Sequence, residues 1–333
     1  MEQIIQAVPR NLLKAELIES RRLRTTNKSD NEIYVFTAKQ APNLMRETGR
    51  LREIAFRDSG GGTGHSLDID YFDTMSTPYR QLIVWNPESE EIVGGYRFIV
   101  GTDAKFDSNG QPILATSHMF NFSERFIKEY LPYTIELGRS FVTLEYQSSR
   151  RGAKSLFALD NLWDGLGALI VLVPEFRFFF GKMTMYSSLP VKCRDMIRYF
   201  ISMNFNDSLK LVLPKKPLNI ENDIELLNSL FSGKSFKKDY RILKSTIRAA
   251  GYSIPPLINS YIGLSPTMKS FGTAINEKFG NVEETGILIN VNEILPEKRL
   301  RHVDSFIMNN PLVFKLNMLF KIKRIKRKKK RES

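Results

Sequence analysis

Residues 131–155, LPYTIELGRSFVTLEYQSSRRGAKS, bring together side chains able to do chemistry. Glu136, Arg139 and Ser140 fall in a run whose other pegs, Thr134, Ile135, Leu137, Phe141 and Val142, are apolar or β-branched, as in a strand. The basic turn that follows, Arg150, Arg151, Gly152 and Ala153, leads through Ser155 into an apolar helix. A strand carrying a carboxylate, followed by a helix N-terminus with free backbone N–H groups, can hold a base beside a phosphate. Burial raises the pKa of such a carboxylate, so that it can accept a proton directly or through water. Glu136 is the candidate base. Its alternative role is a structural ion pair with Arg97 or Arg139.

Other stretches compete for a chemical role. Arg97 stands inside the apolar run EIVGGYRFIV, where an unpaired buried charge is costly, so it is paired, faces a cavity or lies on an edge strand. The run LDIDYFD carries three aspartates without metal-loop spacing and reads as an acidic cluster partnered by arginines, so no metal is expected. SGGGTGH, residues 59–65, is a glycine-rich loop that lacks the lysine and hydroxyl of a P-loop. It reads as a lid or a plain loop rather than a nucleotide site. Cys193 reads as a small helix residue rather than a nucleophile.

The elements that must position these residues follow from periodicity. Residues 1–28 read as a helical lead-in. Strands are expected at 31–38, 80–85, 91–100, 177–187 and 285–294, besides the one carrying Glu136. Helices are expected at 42–57, 119–130, 154–173, 190–205 and 302–320, and extended structure with turns at 254–276. The order predicts an α/β mixed sheet with helices on both faces. The expected organisation is a lead-in (1–30), a core (31–208), a helical insertion (209–253), the rest of the sheet (254–310) and a basic tail (311–333).

Of the 333 residues 42% are hydrophobic, ordinary for a soluble globular protein. The single cysteine excludes an internal disulfide framework and fits a reducing cytosol. The start, MEQIIQAVPRNLL, lacks the basic and apolar regions of a signal peptide. The most apolar run, 166–180, includes Pro174, Glu175 and Arg177 and falls short of the roughly 20 apolar residues of a spanning helix. The net charge of +13 is concentrated in residues 315–333, which carry +9 and leave +4 for the remainder.

Four motifs in order carry a resemblance: LREIAFR (51–57), DIDYFD (68–73), IVGGYRF (92–98) and IELGRSFV (135–142). They resemble the GNAT-fold N-acyltransferases that make bacterial aminolipids, the glycine-lipid and ornithine-lipid enzymes of the hemolysin-like acyltransferase family. The same skeleton is similar to the acyl-homoserine-lactone synthases. The recurring positions match Arg52, Phe56, Asp70, Asp73, Arg97, Glu136 and Arg139, and IPPLINSY (254–261) resembles a later element of the aminolipid enzymes. The resemblance spans about 31–294, less the insertion.

The resemblance implies a GNAT fold. It also implies transfer of a 3-hydroxy fatty acyl group from an acyl carrier protein thioester to the α-amine of an amino acid, glycine first and ornithine as the alternative. It implies catalysis by Glu136, Arg139 and Ser140 and substrate binding by Arg52, Phe56, Asp70, Asp73 and Arg97. No tightly bound cofactor is implied; the co-substrate is acyl-ACP, with acyl-CoA as the alternative donor. Relatives that use acetyl-CoA have Q/R-x-x-G-x-G/A before the phosphate-binding helix. QSSRRGA keeps one glycine there, which suits the single phosphodiester of a carrier protein. Arg150, Arg151, Gly152, Ala153 and Ser155 are the expected phosphopantetheine contacts.

The tail FKLNMLFKIKRIKRKKKR alternates apolar anchors with cations. Anionic lipid attracts such a segment by about 1 kcal/mol per Lys or Arg. Phe320 and Ile322 are candidates to insert, with Lys323, Arg324, Lys326 and Arg327 at the headgroups. The expectation is a cytoplasmic enzyme held peripherally at the inner face of the cytoplasmic membrane. The alternatives are a solvated tail or, from another class, a non-catalytic binder of membrane or nucleic acid led by the tail.

Overall fold

The computed structural model describes residues 1–147, 157–173 and 175–310. Short apolar runs with β-branched residues form β2 (Glu32–Phe36), β3 (Arg80–Asn86) and β4 (Glu91–Val100), and the charged edge strand β1 (Arg22–Thr25) adds to β2, so that all four pair in succession as antiparallel neighbours. They continue into β6 (Thr134–Val142) and then β7 (Phe178–Met185), β10 (Val282–Asn290) and β9 (Lys269–Asn276). The eight-stranded order is β1-β2-β3-β4-β6-β7-β10-β9, and β6–β7 is its parallel pair. A small second sheet pairs β5 (Phe120–Phe122) with β8 (Val212–Pro214).

Helices cover both faces. α1 (Arg10–Glu16) and α2 (Pro42–Asp58) lie on one; α2 starts with proline at its first turn and buries Leu44, Met45, Leu51, Ala55 and Phe56 against Ile83, Trp85 and Phe141. The other face packs α3 (Ala158–Leu172), α4 (Val191–Phe205), α5 (Ile224–Leu230), α6 (Phe236–Ala249) and α7 (Pro256–Ile262) into a second core that includes Leu82, Phe98, Leu162, Phe179, Ile197, Leu243 and Ile258. A third cluster, with Tyr79, Phe120, Phe126, Phe180 and Phe271, fills the space under the small sheet.

The sheet class and the central strands match the sequence expectation. Four local assignments differ. The lead-in is helical over α1 and a single 3-10 turn, Glu19–Arg21, and residues 22–25 form the edge strand instead. Of the helix expected at 119–130, residues 124–130 are helical, ending in a π-helical turn, Phe126–Tyr130, but 120–122 form β5, where Asn121 alternates outward between buried Phe120 and Phe122. Residues 254–276 contain α7, since the Pro255–Pro256 pair presets the backbone for a first helical turn. In the stretch read as an insertion, β8 pairs with β5, and Leu227, Phe231, Leu243 and Ile247 join the main core. The tail beyond 310 lies outside the described residues. Among those described, no helix is long and apolar enough to cross a membrane.

Candidate active site

The site begins with a bulge. Between β4 and β6 the register passes from Gly95↔Phe141 to Arg97↔Gly138, leaving an extra residue on β6. Arg139 adopts φ 51° there, a left-handed conformation uncommon outside glycine, and the bulge re-aims its side chain. Gly94 permits the close pairing of β4 with β6: a Cβ at that position would lie 2.5 Å from the Phe141 carbonyl oxygen. Parallel strands β6 and β7 pair for three rungs only, Thr134↔Phe178 to Glu136↔Phe180, and then diverge.

A cavity of about 620 Å³ opens between the diverging strands, reaching residues on both faces of the sheet. On the α3 and α7 side its walls are apolar: Leu162, Leu166, Leu257 and Ile289, with Trp163 and Tyr261 packed edge-on at 5.8 Å. On the α2 side they carry Arg139, Lys182, Thr184, Tyr186 and Glu284, bounded by Phe56 and Phe279. Those two rings meet edge to face at 5.0 Å. One limb suits a hydrocarbon chain and the other a charged group.

Behind the polar limb lies a buried charge network. Arg97 binds Asp70 through two parallel contacts, 2.7 and 2.8 Å, and Asp73 at 3.0 Å. Arg52 lies 3.5 Å from Asp73 and donates to Gln81, whose amide donates to Asp73 at 2.9 Å. Arg139 lies 2.8 Å from Asp68 and 3.6 Å from Asp70, with its guanidinium over the Phe279 ring at 4.2 Å. Burial pushes Asp70 upward, but the Arg97 guanidinium outweighs it and holds the carboxyl at about 2. At Asp68, burial wins and the pKa is raised. Three arginines face three aspartates, so the network is balanced and fixes Arg139 at the cavity wall.

Glu136 occupies the apex where β6 and β7 separate. It is only 2% exposed and does not line the cavity. Tyr79 donates its hydroxyl to one carboxylate oxygen; the Thr116 amide and hydroxyl donate to the other at 3.2 and 2.6 Å. It pairs with neither Arg97 nor Arg139, so the ion pair considered from the sequence is replaced by neutral donors. Burial raises its pKa against those hydrogen bonds.

The glycine-rich loop has an internal anion. Glu53 of α2 accepts from the Thr63 and Gly64 amides at 3.0 and 2.7 Å and from the Thr63 hydroxyl at 2.8 Å. The amide donors that a phosphate would need are occupied by this carboxylate. The loop covers the end of the polar limb: a Cβ on Gly61 would sit 2.9 Å from Tyr186 and 3.3 Å from Phe279.

Lys182 and Glu284 form an ion pair within the cavity wall, with side chains 12% and 3% exposed. Gly286, directly opposite Lys182 in the β7–β10 ladder, has no side chain, and the lysine reaches diagonally to Glu284. Glu284 also accepts from Thr184 at 3.3 Å and from Asn276 at 3.1 Å, and Asn276 contacts His118 at 3.1 Å.

Comparison with known proteins identifies the family. Residues 51–156 match the family described as acetyltransferase (GNAT) domain. The chain is 62% identical over 316 residues to a protein of Phocaeicola vulgatus named glycine N(alpha)-acyltransferase, covering 95% of this chain and 97% of the relative. It is 64% identical over 316 residues to a protein of the same name from Bacteroides thetaiotaomicron, covering 95% and 94%. The chain belongs to their family of GNAT-fold N-acyltransferases. It is an enzyme, an amino-acid N-acyltransferase. No solved structure matches it.

Of the residues expected to serve this N-acyltransferase, Phe56, Arg139 and Ser140 line the cavity. Arg52, Asp70, Asp73 and Arg97 are brought together, but as the network behind its wall. Arg150, Arg151, Gly152, Ala153 and Ser155 lie outside the described residues, as do Phe320, Ile322, Lys323, Arg324, Lys326 and Arg327 of the tail. Sequence reasoning missed Lys182, Glu284, Tyr79, Thr116 and Glu53. The first two carried the signal that found Arg97, a charge inside an apolar strand: RFFFGKMTM holds Lys182, and the expected strand start at Thr285 left Glu284 just outside.

Proposed function

We propose that this N-acyltransferase moves a 3-hydroxy fatty acyl group from an acyl carrier protein thioester to the α-amine of glycine, the first step in making a glycine lipid. The observation that carries the reading is the two-limbed cavity through the opened sheet. An acyl chain fits the apolar limb under α3 and α7. A small zwitterion fits the polar limb, where Arg139 and Lys182 can meet its carboxylate and Glu284 its ammonium. The relatives named glycine N(alpha)-acyltransferase support glycine over ornithine.

The thioester carbonyl would lie near the apex of the strands. Backbone amides of β6 beyond Glu136 that face β7 have no ladder partner there, and such amides can receive the oxyanion. The amine must lose a proton to attack. Glu136, kept basic by burial, is the proposed acceptor through one water in the cleft. The nitrogen bonds to the carbonyl carbon, the C–S bond breaks, and the pantetheine thiolate leaves. No covalent enzyme intermediate is required.

The single glycine in QSSRRGA supports a carrier-protein donor over CoA, with Arg150, Arg151, Gly152, Ala153 and Ser155 as its proposed phosphate contacts. The basic tail from residue 311 is proposed to hold the enzyme at an anionic cytoplasmic membrane surface, where a long-chain product is released. Lipid mass spectrometry of a host lacking aminolipids tests the reading. Expression should yield N-acylglycine; N-acylornithine alone would overturn the choice of acceptor.

A further inference from the structure

The helical stretch at 209–253 has no part in the chemistry above, yet it carries a row of exposed cations that no carboxylate neutralises among the described residues; Lys244 alone has an aromatic partner, lying 5.4 Å from the Tyr240 ring centre. On α6, Lys237, Arg241, Lys244 and Arg248 recur at spacings of four, three and four, so they share one helix face. All four are exposed, and among the described residues none forms an ion pair. The one acid of α6, Asp239, is buried and accepts from the Ser232 and Gly233 amides at 3.1 and 2.9 Å, so it neutralises nothing on this face. The cations border a groove of about 580 Å³ floored by Tyr240 and Ser245.

The stripe adjoins the cavity. Tyr240 donates its hydroxyl to Asn259 of α7, and the same short helix presents Leu257 and Tyr261 to the apolar limb. The adjacent face of α6 is fixed in the core: Leu243 and Ile247 are buried, and Phe236 and, between the two faces, Tyr240 pack on Phe200 of α4 at 5.5 and 5.6 Å. The surface is therefore held rigidly beside the acyl-binding wall.

We propose that this face of α6 docks the acyl carrier protein, through an acidic surface of that protein, so that its thioester arm enters beside α7. The inference rests on the carrier-protein donor of the proposed reaction. Charge complementarity fits an acidic protein surface, and the side chains between the cations favour a protein over a lipid surface. An interfacial helix inserts leucine or phenylalanine side chains between its cations, whereas this face offers Tyr240, Ser245 and Ala249. Charges at the rim of such a contact act mainly on encounter and recognition, which leaves the transfer step to the cavity.

The test is the double substitution Arg241→Glu/Lys244→Glu, with Arg241→Gln/Lys244→Gln as the milder companion. Two donors carry the same 3-hydroxyacyl group, one on acyl carrier protein and one on free phosphopantetheine. The charge reversal should raise KM for the carrier-linked donor more than tenfold with kcat retained. It should leave the rate with the free arm within twofold, and the neutral variant should fall between. Calorimetric titration with the carrier protein should show the same weakening. An unchanged carrier KM, or equal loss with both donors, overturns the proposal. So does an unchanged carrier KM with lost binding to phosphatidylglycerol vesicles, which would assign the face to membrane. Wild-type enzyme that acylates glycine from neither donor overturns the reaction itself, a result separate from any change at α6.

Discussion

Replacing Arg97 by methionine removes the centre of the charge network and leaves Asp70 and Asp73 facing each other without their shared guanidinium. Breaking a buried pair by deleting one partner costs about 3–5 kcal/mol. Part of that cost can be worked from Asp70. Its carboxyl moves from the ordinary 3.8 to about 2 in the fold, which corresponds to roughly 2 kcal/mol. The folded pKa is depressed, so this contribution is complete above the unfolded value and is lost as pH falls through the folded one. Urea unfolding of wild type and Arg97→Met at pH 7, 5 and 3 measures it. The variant should be about 3–5 kcal/mol less stable at pH 7. That deficit should shrink by roughly 1 kcal/mol at pH 3, where wild type has lost about half of the Asp70 contribution. A deficit under about 1 kcal/mol at pH 7, or one constant from pH 7 to 3, would refute the assignment of Arg97 as the network's organiser.

Further outcomes follow from the cavity. Glu136→Gln should fold with unchanged circular dichroism and lose about 10²–10⁴-fold in kcat, the usual weight of a general base; retained turnover removes Glu136 from that role. Glu284→Gln should raise KM for glycine by about tenfold, roughly 1.4 kcal/mol of binding, while KM for the acyl donor stays put. Leu162→Trp should shorten the acyl chains accepted, read as a shift in product chain length by mass spectrometry. Gly61→Val, forced against Tyr186 and Phe279, should cost about 1–3 kcal/mol by thermal melting and lower turnover, and a variant as stable and active as wild type would dismiss the loop as a cover.

The sheet was legible because its strands are long and apolar and their charges are conspicuous. Arg97 announced itself as a cation in a buried run, and Glu136 and Arg139 by their place in a strand. What escaped was set by tertiary contact. Tyr79 and Thr116 reach Glu136 from loops without periodicity, 57 and 20 residues away in the chain. The anion for the glycine-rich loop is Glu53, one glutamate among several charges on α2. β5 and β8 are three residues each, too short for alternation to identify them. Arg139 was expected in a regular strand, and no residue type signals a bulge built on a non-glycine left-handed backbone.

The short ladder between β6 and β7 is also a mechanical seam in the sheet. Five strands, β1 to β4 and β6, close by neighbour pairing on one side, and β7, β10 and β9 do so on the other. Three rungs carry the backbone connection between the two half-sheets. Each half can keep its own hydrogen bonds if this seam yields, while the core shared by Leu82 and Phe98 of one half and Phe179 and Ile289 of the other holds the two together. The amides of residues 134–136 and 178–180 should then be the strand amides whose hydrogen exchange responds most when an acyl chain occupies the cavity. The empty space that admits the substrate and the compliance that lets its width adjust arise from the same missing rungs.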